Sequence, residues 1–253
     1  GVTLEQLAMI DWYIGNWKVG LEELQESVEL ANRLGLSAVL PALALDKGWY
    51  SLGIGDLEQA EMQFQKSRDW LDENPKITDI VHYHLGLGIL KEEQGKEHEA
   101  KEHYQICIDS FGNWEFTTFP TLHIETLLHL TSIFAKNQEL ERASKTSQWA
   151  KRLAETLKSE AGLAMASQAE AALLLASANQ KGAAEAYLNC LGLWEKAGWP
   201  YYHAKALVAY SEGLAQKNPE ESRKRLMQAA EIFRKLGAKR DLEKAEAKLS
   251  PQA

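Results

Sequence analysis

Apolar and small side chains recur every three or four residues through most of the chain, which is the spacing of one helix face. Between Glu97 and Ser110 the pattern is clear, with Ala100, Tyr104 and Cys107 at positions i, i+4 and i+7. The same stripe recurs as Gly20, Leu24 and Ser27, as Ala60, Phe64 and Ser67, as Ala143, Ser147 and Ala150, and as Ala184, Leu188 and Leu191. Alternating runs of strand length do not stand out, so the pattern predicts an all-α chain.

The helical pattern repeats with a period of about forty residues. Turn glycines follow one another at intervals of 40, at Gly15, Gly55 and Gly95. Weaker turns follow at Asn137 with Gln138, at Asn179 with Gln180, and near Asn218. Each period therefore predicts two helices around a turn. The predicted units are residues 1–35, 36–76, 77–112, 120–160, 161–198 and 200–237, followed by a polar capping helix over 239–249.

A fixed offset connects the two helices of each unit. A small residue on the first helix lies twelve positions before a small residue on the second helix. The pairs are Ala8 and Gly20, Gly48 and Ala60, Gly88 and Ala100, Thr131 and Ala143, and Ala172 and Ala184. Small side chains at both positions allow two antiparallel helices to approach closely, so we expect each pair to mark a helix crossing.

These features resemble the tetratricopeptide repeat, which places Leu-Gly on its first helix and Ala, then an aromatic residue four positions later, on its second. The best copy is Leu87 and Gly88 followed by Ala100 and Tyr104. That repeat ordinarily has about 34 residues, and a forty-residue period equally suits HEAT or armadillo repeats. The small-residue pairs and the Gly-Asp or Gly-Asn turns favour the tetratricopeptide class. The resemblance implies a right-handed α-solenoid of about six helix pairs, forming one superhelical domain over residues 1–253.

The C-terminal part of the chain carries a narrower resemblance. Residues 194–207 and 229–249 resemble the closing repeat of large signal-transduction ATPases that carry a tetratricopeptide-like superhelix. That group includes LuxR-type activators of the maltose-regulon kind and cyclase-linked regulators. The resemblance implies that the chain is a segment of a larger bacterial regulatory protein, acting as its non-catalytic sensor or protein-interaction domain. A stand-alone scaffold that clamps a peptide or helix of another protein is the alternative.

Composition and charge narrow the choice of partners. The chain has 28 Lys and Arg against 36 Asp and Glu, a net charge of −8, which disfavours direct binding to nucleic acid. It contains only two cysteines and has no signal-peptide pattern or membrane-length apolar run, so we expect a cytoplasmic protein without a disulfide framework. A protein, a peptide or a small-molecule effector is the expected ligand.

Motifs that could carry chemistry fail on spacing. A phosphate-binding loop around Gly95 and Lys96 would need a glycine at Leu90 and a hydroxyl residue at Glu97. His98 and His103 are five residues apart, and a helix needs a spacing of four to bring two metal ligands onto one face. His82 and His84, two apart, point in nearly opposite directions on a helix. We therefore expect no enzymatic activity, metal or cofactor.

Candidate binding residues follow from the repeat register. The first helices of a solenoid line its inner groove, and side chains off the packing stripe are the expected contacts. By register these are Trp49, Leu52, His82, Glu92, Glu125 and Ser132. Two aromatic clusters, Trp114, Phe116 and Phe119, and Trp199, Tyr201 and Tyr202, are either packing between units or exposed interaction patches.

Overall fold

The fold is all-α, as the periodicity predicts. A computed structural model describes residues 3–73, 76–111 and 120–250. In these ranges the chain forms thirteen α-helices and one 3₁₀ helix, at Ser37–Val39, and no strand. The α-helices are α1 (Leu4–Ile14), α2 (Trp17–Leu34), α3 (Leu40–Ile54), α4 (Leu57–Glu73), α5 (Ile77–Glu93), α6 (Glu97–Phe111), α7 (Pro120–Lys136), α8 (Leu140–Leu157), α9 (Glu160–Ala176), α10 (Gln180–Ala197), α11 (Pro200–Leu214), α12 (Pro219–Leu236) and α13 (Lys239–Leu249). Across these helices, none combines the length and hydropathy that a bilayer-spanning segment requires.

The helices group into two compact units. Unit 1 comprises Gly1–Ser110 and Lys235–Arg240, and unit 2 comprises Phe111–Arg234 and Asp241–Ala253. In unit 1, α1 packs on α2, α3 packs on α4, and α3 also contacts α1 and α5. In unit 2, α7 packs on α8, α9 packs on α10, and α7 contacts α9. Consecutive helix pairs of this kind are typical of a helical-repeat fold.

Five turns within the helix pairs share one backbone conformation. The turn residue is left-handed at Gly15, Gly55, Gly95, Gln138 and Ala178, at intervals of 40, 40, 43 and 40 residues. In each turn the next N–H donates to the carbonyl five residues earlier, at 2.8–2.9 Å. This bond closes a Schellman motif and satisfies a carbonyl at the end of the first helix. The fifth turn residue is therefore Ala178, and Asn179 caps α10 by accepting from the Gly182 N–H.

The position of that turn corrects the predicted register of the helix pair α9 and α10. Ala171 and Ala183 are fully buried there, whereas Ala172 and Ala184 are only partly buried. The buried stripe of α10 is accordingly Ala183, Tyr187, Cys190 and Trp194, and Leu188 is exposed. The predicted offset of twelve is kept, because both members of the pair move back by one residue. The other four small-residue pairs are buried as expected.

Close approach at the crossings depends on aromatic rings as well as on small residues. In two helix pairs, α3 with α4 and α5 with α6, an aromatic residue of the second helix lies over a glycine of the first helix. A Cβ atom on Gly48 would lie 2.5 Å from the Phe64 ring, and one on Gly88 would overlap the Tyr104 ring. The offset between each glycine and its ring is sixteen residues. Each ring thus occupies the space that a larger side chain on the first helix would fill.

Ala178→Gly should stabilise the protein. A left-handed conformation costs an L-residue about 1–2 kcal/mol, and glycine adopts it without that penalty. We expect the free energy of unfolding to rise by about 1 kcal/mol in urea denaturation followed by circular dichroism. Ala184→Gly, inside helix α10, is the matched control and should lose about 1 kcal/mol. A loss of stability in both variants would contradict the expectation.

Candidate functional site

A groove in unit 1 lies between α4, α5 and α6. Its volume is about 630 Å³, within the range of small-ligand pockets. The apolar part consists of Leu71, Ile80 and Leu87, and the polar part includes a tyrosine, two histidines and charged side chains. The lining residues are Glu61, Gln65, Arg68, Leu71, Ile80, Tyr83, His84, Leu87, Lys91 and His103. This combination can hold an apolar side chain while orienting polar groups around it.

Lys91 organises the charges of this groove. Its side chain is only 11% exposed, and its Nζ lies 3.0 Å from Glu61 Oε1 and 3.6 Å from Glu99 Oε2. Glu61 also accepts a 3.2 Å hydrogen bond from the Gln94 amide. The hydrogen bond from Lys91, with its positive charge, lowers the pKa of Glu61. The ammonium group is therefore held between two carboxylates, which offsets the cost of its burial.

Two histidines meet at the wall of the groove. The Nδ1 atoms of His84 on α5 and His103 on α6 are 2.9 Å apart. One imidazole must donate and the other accept, so the contact holds at most one proton between the two nitrogens. Burial, followed by the charge of Lys91, lowers the pKa of His103. The lowered pKa favours the neutral imidazole of His103, which can donate one hydrogen bond and accept another.

Sequence spacing does not reveal this histidine pair. Spacing along one helix compares His98 with His103 and His82 with His84, whereas His84 and His103 are nineteen residues apart. The signal lies in the helix crossing at Gly88 and Ala100. In an antiparallel pair, a residue four before Gly88 lies opposite residues three or four after Ala100. No group of three or more His, Cys, Asp or Glu able to hold a metal ion occurs in the described part of the chain.

The predicted groove residues of unit 1 lie elsewhere. Trp49 and Leu52 are buried in the core, which corrects the expectation that they project from the packing stripe. Trp49 packs against the next helix pair, since its ring stacks on His82 with the ring centroids 4.8 Å apart. Burial lowers the pKa of His82 to about 4. Glu92 is half-buried and accepts a hydrogen bond from the Tyr104 hydroxyl. None of the four lines the groove.

The predicted groove residues of unit 2 also belong largely to its interior. Glu125 is 3% exposed, so its expected place on a groove surface is corrected. Burial raises its pKa to about 7, opposed by the charge of His129 and a hydrogen bond from Tyr202. Ser132 is half-buried, and its hydroxyl donates to the Leu128 carbonyl at 2.9 Å. A serine bonded in this way has its donor engaged by its own helix.

The second aromatic cluster forms a packed seam. Trp194 stacks on Trp199 and Tyr202, with ring centroids 5.9 and 5.3 Å away. Tyr201 contacts the Phe233 ring, and its hydroxyl donates to Asp241 at 3.0 Å. All three predicted patch residues, Trp199, Tyr201 and Tyr202, are half-buried. The cluster therefore packs α10 and α11 against Phe233 of α12 and Asp241 of α13. The first cluster, Trp114, Phe116 and Phe119, lies outside the described residues.

The two cysteines are buried and free. Burial raises the pKa of the Cys190 thiol to about 12, which keeps it protonated at neutral pH. Cys107 donates weakly to the Val81 carbonyl, with 3.6 Å between sulfur and oxygen. Both residues occupy the third position of the second-helix stripe, after Ala100 and Tyr104 and after Ala183 and Tyr187. Their environment suits packing rather than thiolate chemistry.

Comparison with known proteins supports the fold class. No protein-family model matches the chain, and no curated protein matches it in sequence. Among solved structures, it is similar to the crystal structure of BtubC (BKLC) from P. vanneervenii. The two share 16% sequence identity with a TM-score of 0.56, over 100% of this chain and 96% of BtubC. Similarity at this identity concerns the fold alone and supports an all-helical, repeat-like architecture.

Proposed function

We propose that the chain is a non-catalytic, tetratricopeptide-like interaction domain that binds a segment of another protein in the groove of unit 1. The observation that carries the proposal is the composition of that groove. Leu71, Ile80 and Leu87 offer an apolar surface for one side chain of a ligand. Arg68 and the histidine pair add groups that can hydrogen-bond to a peptide backbone or a carboxylate.

Helical repeats support this proposal in a second way. Stacked helix pairs build extended surfaces, which suit a polypeptide segment better than a compact metabolite. The resemblance of residues 194–207 and 229–249 to the closing repeats of regulatory ATPases favours a place in a multidomain bacterial transcription or signalling protein. In that setting the domain would be a sensor that passes the presence of its partner to other domains. A stand-alone scaffold using the same groove is the second candidate.

Peptide selection tests the groove directly. We expect twelve-residue peptides selected from a phage library to bind the purified chain, measured by fluorescence anisotropy. Arg68→Glu, an exposed position on the groove, should weaken their binding at least tenfold by removing the cation that faces the ligand. Arg152→Glu makes the same charge change at an exposed position of α8 and should have no effect.

Two results would contradict the proposal. Selected peptides that bind the Arg68→Glu and Arg152→Glu variants equally well would place the binding site outside the groove. A failure to select any peptide, together with a rise in melting temperature on adding sugars or nucleotides, would favour a small-molecule sensor instead.

A further inference from the structure

Unit 1 includes a short segment that is distant in sequence from the rest of it. Residues Lys235–Arg240, called the strap below, are grouped with Gly1–Ser110. Ala238, inside the strap, is fully buried. Arg240 follows Glu93 by 147 residues, and the two side chains are nevertheless in contact. The strap is therefore packed as part of unit 1.

Arg240 completes the C-terminal end of helix α5. The last four carbonyls of a helix need partners from outside its regular hydrogen bonds. In α5 the first three accept from the backbone N–H groups of Gln94, Lys96 and Gly95. The fourth, the carbonyl of Glu93, accepts from Arg240 Nη2 at 2.8 Å, and Glu93 Oε2 accepts from Arg240 Nε at 3.0 Å. The guanidinium thus binds the backbone and the side chain of one residue, and its charge complements the negative end of the helix dipole.

Gly55 makes room for the strap. It is the left-handed turn residue after α3, with φ +95°, and α3 contacts α5. A Cβ atom on Gly55 would overlap Arg240 Cβ and lie 3.0 Å from the backbone nitrogen of Arg240. A larger residue at this position would therefore push the strap away. The position of the strap is thus defined at two points, Gly55 and Glu93.

The same end of α5 forms the polar end of the groove. Lys91 Nζ donates to Glu61 at 3.0 Å and to Gln94 at 3.4 Å, and the Gln94 amide donates to Glu61 at 3.2 Å. Glu93 lies between Lys91 and Gln94 in the sequence, in the same helical turn. Helix ends open more readily than helix interiors when their partners are removed. The arrangement of this polar network should therefore depend on the contact between Arg240 and Glu93.

We propose that Arg240 is a positioning residue of the groove, which holds the last turn of α5 through Glu93. That turn fixes Lys91 and Gln94 where a bound segment would meet them. The inference rests on the proposed function, because it concerns the same groove. Release of the strap leaves the groove in a form that binds its partner more weakly, since apparent affinity falls with the fraction of the competent form. The strap thereby regulates binding.

A histidine titration tests the proposal without any peptide. Burial and then the charge of Lys91 lower the pKa of His103, and Glu102 and Glu99 oppose them. In Arg240→Gln, the loosened end of α5 should move Lys91 away and admit water, and both changes raise the pKa of His103. NMR titration of the histidine Cε1–H signals measures the shift. His103→Gln assigns the signal, because it removes one of the seven histidines.

Matched variants separate this effect from general strain. Gly55→Ala displaces the strap by steric overlap and should also raise the pKa of His103. Gly35→Ala introduces the same kind of left-handed alanine, at φ +69°, where a Cβ atom meets nothing within 4 Å. Arg234→Gln removes an exposed arginine that lies 2.7 Å from a glutamate of α13. Neither Gly35→Ala nor Arg234→Gln should change the titration of His103.

Peptides selected for the groove provide the second test. Arg240→Gln should weaken their binding by about fivefold in fluorescence anisotropy, and Arg234→Gln should leave it unchanged. Arg240→Lys keeps the charge and lacks the planar fork that bonds two oxygens together, so it should weaken binding in the same direction by a smaller factor. This variant decides the question if Arg240→Gln does not fold, which circular dichroism checks.

An unchanged His103 titration in Arg240→Gln and Gly55→Ala would overturn the proposal. Equal peptide affinity in the wild type and in folded Arg240→Gln or Arg240→Lys would overturn it as well. The proposed function would stand in that case, because it depends on the response to Arg68→Glu. If no peptide binds the groove, the proposed function fails, and the His103 titration still decides whether Arg240 positions the end of α5.

Discussion

Gly88→Ala is expected to lower the free energy of unfolding by about 2 kcal/mol. A methyl group at this position would overlap the Tyr104 ring, which is fully buried. The ring has little room to move away, because its hydroxyl donates a hydrogen bond to Glu92 and Tyr104 lies in the core between α5 and α6. Overpacking of a well-packed core commonly costs about 1–3 kcal/mol. The loss should appear as a lower urea midpoint in unfolding followed by circular dichroism.

Gly192→Ala is the matched control for this substitution. Gly192 lies inside α10, and a Cβ atom there would meet no atom within 4 Å. Alanine in an open helix interior is favoured over glycine by about 1 kcal/mol. The two glycine substitutions should therefore shift stability in opposite directions. A gain in stability for Gly88→Ala would show that the helix crossing tolerates a methyl group, and would contradict the packing described for α5 and α6.

Much of the fold can be predicted from the sequence, because helix periodicity and turn glycines are local signals. The turns that the sequence places at Gly15, Gly55 and Gly95 lie between consecutive helices of the structure. The buried small-residue pair of α9 and α10 lies one residue before the predicted Ala172 and Ala184, because the turn residue is Ala178, which carries no sequence signal for a left-handed conformation. Asn179 resembles a turn residue in the sequence, although it caps the following helix. Counting forty residues from Gln138 places the turn correctly.

The candidate site is harder to predict, because contacts between helices depend on register across a crossing. His84 and His103 meet only because α5 and α6 are antiparallel around Gly88 and Ala100. From the sequence alone, a glutamate on an otherwise apolar helix is expected to be exposed at the surface. Glu125 is buried because α9 and other helices of unit 2 cover α7. The signal of its burial in the sequence is its position within a helix whose residues are apolar on most sides.

Glu125→Gln is expected to raise the free energy of unfolding by about 3 kcal/mol at pH 8. Burial raises the pKa of Glu125 to about 7 in the folded protein, from its ordinary value of 4.5. The folded state therefore holds a proton that the unfolded state has released between pH 4.5 and 7. This contribution to stability is fully present below pH 4.5 and is lost as the pH rises through 7. Glutamine has no proton to lose and can still accept from Tyr202.

The pH dependence separates this effect from simple repacking. His123, on the same helix, is buried with its pKa lowered to about 4 from 6.5. Its unfolded form binds a proton below pH 6.5, so its contribution is lost as the pH falls through 4. Between about pH 4.5 and 6.5 the contribution of Glu125 to the free energy of unfolding falls with pH and that of His123 rises. In Glu125→Gln only the His123 contribution remains, so the free energy of unfolding should rise with pH over this range.

Urea denaturation at about pH 4.5, 6 and 8 measures this pH dependence. Glu185→Gln, at an exposed carboxylate of α10, should reproduce the wild-type profile. A constant offset between wild type and Glu125→Gln at all three pH values would show that Glu125 does not bind a proton on folding.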